Sequence, residues 1–332
     1  MFALSDKLIV APSPHIRGRR TTQLIMLDVI IALVPTLVAA TVIFGLRALL
    51  LSLVCVASCV LFEFLMCLAL KKDNTVPDLS AVVTGLILAY NLPAELPFWM
   101  AIIGSFVAIV IVKMLFGGIG QNFANPALVG RIVLFVSFSG AMTTWVKPFA
   151  YKYGLDAVTT ATPLALLREG KWTEISDMLL GKVGGCLGET CALALLAGGV
   201  YLVIRRVISP VIPLTYIGTV AAGAALASLT SMLPLGWTSL DFVLTHVLNG
   251  GLLLGAIFMA TDYTTSPATK WGKVIFGCGC GALTIVIRLF GAYTEGVSFS
   301  ILLMNILTPY IEKATSPRPL GARPKDKEGV KA

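Results

Sequence analysis

The stretch GLILAYNLPAELPFW, Gly85 to Trp99, has a counterpart 170 residues further on: GAIFMATDYTTSPATKW, Gly255 to Trp271. VKMLFGG, from Val112, is answered by VIRLFGA, from Val286, at an offset of 174. A nearly constant offset makes the chain an internal repeat, with five apolar segments in each copy. Five is odd, so the second copy must cross a membrane in the opposite sense to the first. Inverted repeats of this kind build transporter-like folds with a site near the bilayer midplane. The equivalence sets Asn91 against Asp262 and Lys113 against Arg288, and it places Asn91 and Asp262 near opposite faces.

Composition agrees. The chain has 332 residues, 57% hydrophobic and 13% charged, whereas soluble domains are about 45–50% apolar and about 25% charged. The expected fold is an all-α integral membrane protein. Its ten apolar segments cover 24–44, 47–70, 79–92, 97–116, 127–142, 184–204, 211–233, 240–261, 273–291 and 298–312. Most approach the roughly 20 residues that cross the hydrocarbon core; the third, fifth and tenth are short enough to be half-helices or buried spans.

Charge sets the orientation. The net charge of +8 reflects basic loops, not a nucleic-acid footprint, and no nucleic-acid partner is expected. Ten spans put both tails on one side, and both are basic. Lys71-Lys72, Arg205-Arg206 and Lys270 to Lys273 fall on that side as well, which makes it the cytoplasm. The chain then divides into a cytoplasmic tail (1–23), a first repeat (24–142), an external loop (143–183), a second repeat (184–312) and a basic cytoplasmic tail (313–332). The first 23 residues lack the apolar core of a cleavable signal peptide.

Seven cysteines fall mostly inside apolar runs and form no CxxC pair. They read as small helix-packing residues, with iron–sulfur ligation shared with a neighbouring protein as the alternative. His15 and His246 stand alone, and no hydrolytic triad is present. FGGIGQNFANPALVGR, Phe116 to Arg131, combines Gly117, Gly118 and Gly120 with the amides of Gln121, Asn122 and Asn125. No strand precedes it, so it is not a dinucleotide fingerprint. It is either a plain loop before a Pro-capped helix or the lining of a ligand path. Asp28, Glu63, Lys113, Asp262 and Arg288 are ionisable groups within or beside spans. Such groups are either functional or paired and snorkelling.

The external loop holds DAVTTATPLALLREG, Asp156 to Gly170. On its own, Thr162 before Pro163 reads as a helix N-cap. With PSPHIRG (Pro12–Gly18), FGGIGQNFANPALVGR and TDYTTSPAT (Thr261–Thr269), it gives a fuller pattern. The chain from about 17 to 312 resembles RnfD, the D component of the Rnf-type ferredoxin:NAD electron-transport complexes. It is similarly related to NqrB, the B component of the sodium-pumping NADH:quinone reductase. The resemblance implies covalent FMN, esterified through its phosphate to the last Thr of a D-x-x-[ST]-G-A-T pattern. Here that pattern is Asp156, Thr159, Thr160, Ala161 and Thr162, with Thr160 in place of the family Gly. Thr162 is the expected attachment site. A helix N-terminus suits a phosphate, and Arg168 or Lys171 would add charge-assisted hydrogen bonds. Ser266 to Thr269 is a weaker match in a cytoplasmic loop.

The resemblance further implies a relay of electrons between ferredoxin and NAD, coupled to movement of Na⁺ or H⁺. Partners would be the A, B, C, E and G components of the complex, in the lipid bilayer of the cytoplasmic membrane. A second, non-covalent flavin such as riboflavin is implied between the repeats. Gly117, Gly118, Asn122, Asn125, Lys113 and Asp262 are the residues expected along that flavin or ion path. The competing readings are a secondary transporter or channel without a redox cofactor, and a structural scaffold.

Overall fold

The computed structural model describes residues 21–152, 159–230, 237–291 and 295–317. PSPHIRG, Asp156 and most of both tails lie outside them. The described chain is an all-α integral membrane protein, with a single isolated bridge, Val146 to Thr159, as its only β pairing. The first half contains α1 (Thr22–Phe44), α2 (Leu46–Ala69), α3 (Ser80–Tyr90) and α4 (Phe98–Phe106, continued in π geometry over Val107–Met114). It closes with α5 (Pro126–Ser137) and α6 (Ser139–Met142). The intervening loop carries α7 (Pro163–Arg168) and α8 (Ile175–Leu180). The second half has α9 (Ala192–Ile204), α10 (Val211–Leu229), α11 (Ser239–Leu248) and α12 (Leu252–Leu254, continued in π geometry over Gly255–Met259). It ends with α13 (Lys270–Phe290) and α14 (Val297–Thr315). Every expected segment contains a helix. Helices α1, α2, α10 and α13 are each long and apolar enough to cross a bilayer, and α11 and α12 together reach that length around a 56° bend, as a broken span or a re-entrant loop.

Helix α1 serves as a depth gauge. Its 23 residues, at about 1.5 Å each, reach about 35 Å. Its Thr22 end shares a cavity with Val207 and with Asp262 to Thr264. Near the end of α14, Glu312 accepts from Ala268 N (3.2 Å) and Thr315 Oγ1 meets Thr269 Oγ1 (2.6 Å), so α14 finishes at that same end. At the Phe44 end, Phe149 N donates to Ile43 O and Tyr151 Oη to Val42 O, both at 2.9 Å. The long loop therefore begins at the end of the bundle opposite to residues 21 and 317.

Helix α3 stops half-way through. Tyr90 Oη donates to Leu33 O, at the middle of α1 (2.8 Å). A helix that ends inside hydrocarbon leaves carbonyls unpaired, at a cost of several kcal/mol each. Residues 182–191 remove that cost. The apolar run from 184 predicts helix, but helix starts only at Ala192. The preceding residues instead enter the bundle as non-helical chain, and Gly188 N donates to Tyr90 O (2.8 Å) and Leu187 N to Leu92 O (3.1 Å). Gly188 is required by space: a Cβ there would lie 2.3 Å from Tyr90 Cβ.

Helix α11 is the inverted partner of α3. It enters from the loop side, where Trp237 packs on Trp172 (4.7 Å) and Thr238 and Asp241 form a capping box. Both half-helices end on asparagine. Asn91 Nδ2 donates to Ile87 O (2.7 Å) and contacts Met259 Sδ (3.6 Å). Asn249 Nδ2 donates to Thr245 O and contacts Met178 Sδ, both at 3.0 Å. This corrects the repeat register. Asn91 is matched by Asn249, not by Asp262, and it lies inside the bundle against Met259, not near a face. The second half inserts α12 after its break, and the apolar runs around it align on composition alone. Lys113 and Arg288 keep equivalent places, each in the last turn of the long helix after the break.

Gly188→Val should force the re-entrant chain away from Tyr90. By analogy with overpacking, it should cost about 1–3 kcal/mol, read as a lower melting temperature of the detergent-solubilised protein. An unchanged melting temperature would contradict the tight contact.

Candidate functional site

The expected site residues gather at two places, one at each end of α1. At the loop end, Thr162 is the N-cap of α7. Its extended backbone (φ −70°, ψ 155°) lets Oγ1 accept from Ala165 N at 3.3 Å, and Pro163 follows with no N–H to satisfy. The residue is 5% exposed. The chain before it is tied down by the Val146–Thr159 bridge and by Thr160 N donating to Trp145 O (2.9 Å). Thr159 is exposed; Thr160 and Ala161 are half-buried. Thr160 does not occupy the left-handed region, so its backbone does not demand glycine. Its methyl fills space left by Gly184, where a Cβ would fall 2.3 Å from Thr160 Cγ2.

Beside this turn lies a cavity of about 530 Å³, bordered by Thr160, Ala161 and Pro163 and by the side chains of Lys147, Lys182 and Thr173. Phe149, Val183 and Leu166 supply an apolar wall. Thr173 Oγ1 is buried and has no hydrogen-bond partner among the described residues. The expected cations are employed elsewhere. Arg168 donates to Arg288 O (2.8 Å) and Gly291 O (2.9 Å), closing the end of α13, and Lys171 pairs with Glu169 (2.7 Å). Helix α7 is six residues long, and its Ala165 N–H is taken by Thr162 itself. Lys147 and Lys182, not the helix end, are therefore the positive groups at the cavity, and Lys182 also lies 3.9 Å from Asp177. Sequence reasoning does not find Lys147 and Lys182, because they lie far from Thr162 along the chain and no motif links them. Thr269, the weaker match, caps α13 at the other end of the bundle, accepting from Gly272 N (3.0 Å).

The second place is a cavity of about 310 Å³ at the Thr22 end of α1. Lys113, Asn122, Asn125 and Asp262 all border it, against apolar walls from Ile25, Met26 and Phe258. The ammonium of Lys113 is held by Glu63 Oε2 (2.6 Å) and Ser80 Oγ (2.7 Å), and Thr75 Oγ1 donates to the other Glu63 oxygen (2.6 Å). Asn125 caps α5 through Oδ1 and donates from Nδ2 to Met259 O (3.3 Å). Asp262 accepts from the hydroxyls of Thr264 (3.0 Å) and Thr265 (3.2 Å). Gly117 and Gly118, at φ 125° and 108°, form the turn from α4 towards Asn122. They shape that turn and do not border the cavity. Asp28, at the same end of the bundle, pairs with Arg205 (3.1 Å) and accepts from Tyr201 (3.0 Å).

The model of the NQR2, RnfD, RnfE family matches residues 9–321. The chain belongs to this family. Over 97% of its length it is 48% identical to the D component of the Na⁺-translocating ferredoxin:NAD⁺ oxidoreductase complex of Acetobacterium woodii, covering 98% of that protein. Over 95% of its length it is 42% identical to the D component of the proton-translocating ferredoxin:NAD⁺ oxidoreductase complex of Clostridium ljungdahlii, covering 96% of that protein. It is 36% identical, over 95% of its length, to the D component of the ion-translocating oxidoreductase complex of Escherichia coli, covering 98%. The two cavities of this family member thus lie in a chain spanning nearly the whole of its relatives.

Lys113→Met should leave the Glu63 carboxylate buried and unpaired, costing about 3–5 kcal/mol. Adding Glu63→Gln should recover much of the loss in a melting experiment. Additive losses in the double variant would show that the pair is not coupled.

Proposed function

We propose that this chain is the D component of an ion-translocating ferredoxin:NAD⁺ oxidoreductase complex, a translocase-type oxidoreductase. In this reading it carries FMN esterified to Thr162, and the complex moves Na⁺ or H⁺ across the cytoplasmic membrane. The observation that supports the reading is the seating of Thr162 in a turn whose neighbours Thr160, Ala161 and Pro163 border a lysine-flanked cavity, in a member of this family. The cavity volume falls in the range of small-molecule sites, about 300–1,000 Å³. The ester joins the FMN phosphate to Thr162 Oγ1 with loss of water. When bound, the flavin supplies the electron chemistry. With the group bound, Lys147 and Lys182 would offset the charge of the phosphodiester, Thr173 Oγ1 would offer a hydrogen bond, and Phe149, Val183 and Leu166 would keep water from one side.

The cavity at the other end of α1 has the chemistry for a second, non-covalent flavin such as riboflavin. Apolar walls meet amides at Asn122 and Asn125, a cation at Lys113 and a carboxylate at Asp262. Lys71, Lys72, Arg205, Arg206, Lys270 and Lys273 lie towards that end, the Thr162 loop carries Lys147, Lys152, Arg168, Lys171 and Lys182, and the excess of Lys and Arg in the two tails supports placing that end and both tails in the cytoplasm. The Thr162 loop then faces outward. Electrons reach and leave this chain through the other membrane and peripheral components of the complex, A, B, C, E and G. The opposed half-helices also suit a transporter without a redox group, and that reading expects a colourless protein.

Denaturing electrophoresis of the purified complex separates the readings. The band of this chain should fluoresce under ultraviolet light. Thr162→Val should abolish the fluorescence while leaving the complex assembled, because loss of a cap costs only about 0.5–2 kcal/mol. Thr160→Gly and Thr269→Ala should keep it. A fluorescent Thr162→Val band would contradict the attachment site, and a dark wild-type band would favour the transporter.

A further inference from the structure

The buried cations of the described bundle are committed to partners. Lys113 pairs with Glu63 (2.6 Å). Arg131 of α5 donates to Asn91 Oδ1 (3.1 Å), Ser298 Oγ (2.6 Å) and Glu295, with Cys186 and Glu189 alongside. Arg288 donates to Asn249 O (2.9 Å) and Gly250 O (3.0 Å). At the loop end of the bundle, Arg168 closes α13, Lys171 pairs with Glu169, and Lys182 lies 3.9 Å from Asp177. Three cations at that end, Arg47, Lys147 and Lys152, form no ion pair among the described residues.

The local fold gathers these three. Gly45, at φ 82°, turns α1 into α2, and a Cβ there would fall 3.1 Å from the Tyr151 ring. The space so left lets residues 146–151 fold onto the start of α2. A cavity of about 80 Å³ remains between them, bordered by Arg47, Lys147, Glu95 and Tyr151. Arg47 lies 5.5 Å from the centre of the Phe98 ring and gives one N–H to Glu95 O (3.2 Å). Lys152 Nζ lies 5.0 Å from the centre of the Phe149 ring and 5.9 Å from that of Tyr151. Three cations therefore stand around one carboxylate, that of Glu95, which pairs with none of them.

The cavity falls well short of the about 300–1,000 Å³ of small-molecule sites, yet exceeds the about 10–15 Å³ that one water needs. That size and charge suit a phosphate. The surroundings indicate what carries it. Leu46 and Leu50 of α2 and Val42 of α1 expose apolar side chains at the same turn. Tyr151 and Trp99 are exposed there too, as aromatic residues are at the level of lipid headgroups.

We propose that this cavity seats the phosphate of an anionic phospholipid, whose acyl chains lie along the exposed apolar face of α1 and α2. The Arg47 guanidinium offers a fork to two phosphate oxygens, and the lysines add point charges. The inference needs no flavin, and Lys147 is the only bordering residue that the two cavities at this end share.

Native mass spectrometry of the purified, assembled complex, stripped of lipid in detergent and titrated with phosphatidylglycerol, tests it. Lys147 is left intact, so that no change can come from the Thr162 cavity. Wild type should bind one phosphatidylglycerol that Arg47→Gln/Lys152→Gln binds about thirtyfold more weakly, a factor of about five for each cation lost. Phosphatidylcholine should bind the two alike. Glu95→Gln, which removes the carboxylate at the cavity, should tighten the same lipid, and it decides the matter if the double variant fails to assemble. Equal phosphatidylglycerol affinity in wild type and the assembled double variant, or no tightening in Glu95→Gln, would overturn the proposal. So would displacement of the lipid by an equal concentration of inorganic phosphate, which would assign the cavity to a free anion.

Discussion

Backbone hydrogen bonding inside hydrocarbon is the constraint on which the rest of this structure depends. The chain breaks two helices within the bundle, at Asn91 and at Asn249, and each break exposes carbonyls that lipid cannot satisfy. The re-entrant residues 182–191 answer the first break with the amides of Leu187 and Gly188. Arg288 answers the second with its guanidinium. Each asparagine amide also turns back on its own helix, to Ile87 O and Thr245 O. The polar interior of the protein is therefore a consequence of its broken helices, and Arg131, Glu189 and Glu295 collect where those breaks meet.

The same breaks organise the two cavities. Half-helices leave volume at each end of the bundle that full spans would fill. At the Thr22 end of α1 the volume is bordered by Lys113, Asn125 and Asp262. At the Phe44 end, the loop between the repeats folds back over the bundle, through Phe149 on Ile43 and Tyr151 on Val42, and leaves a pocket beside Thr162. The loop is polar because it lies beyond the apolar segments. It is ordered around Thr162 because Trp145, Gly184 and the Arg168 contacts to α13 hold it.

Much of this is legible in the sequence. Span-length apolar runs and their punctuation locate all ten segments, because the bilayer makes hydropathy a strong signal. Thr162-Pro163 and Asn125-Pro126 announce their caps through side-chain chemistry alone. The rest depends on contacts distant in the chain. Residues 184–191 are apolar enough to read as helix, yet Gly188 is there to let extended backbone reach Tyr90. Apolar runs align on composition and so suggest the wrong repeat register, whereas the paired asparagines appear only when α3 and α11 are seen to end alike. Proximity places Arg168 beside a phosphate, but its guanidinium caps α13. Arg131 is inconspicuous at the end of a Gly/Asn-rich motif, since its partners, Glu295 and Cys186, come from the other half of the chain and from the re-entrant stretch.

The central claim is that the two cavities open on opposite faces of the membrane, separated by the length of α1. Ser176, in the Thr162 loop, and Asp73, two residues before the Thr75 that donates to Glu63, are both exposed. Single cysteines at these positions can be challenged with a membrane-impermeant thiol reagent in intact cells and in inverted vesicles. The account predicts that Ser176→Cys reacts only from outside the cell and Asp73→Cys only in inverted vesicles. Labelling of both positions from the same face would contradict it.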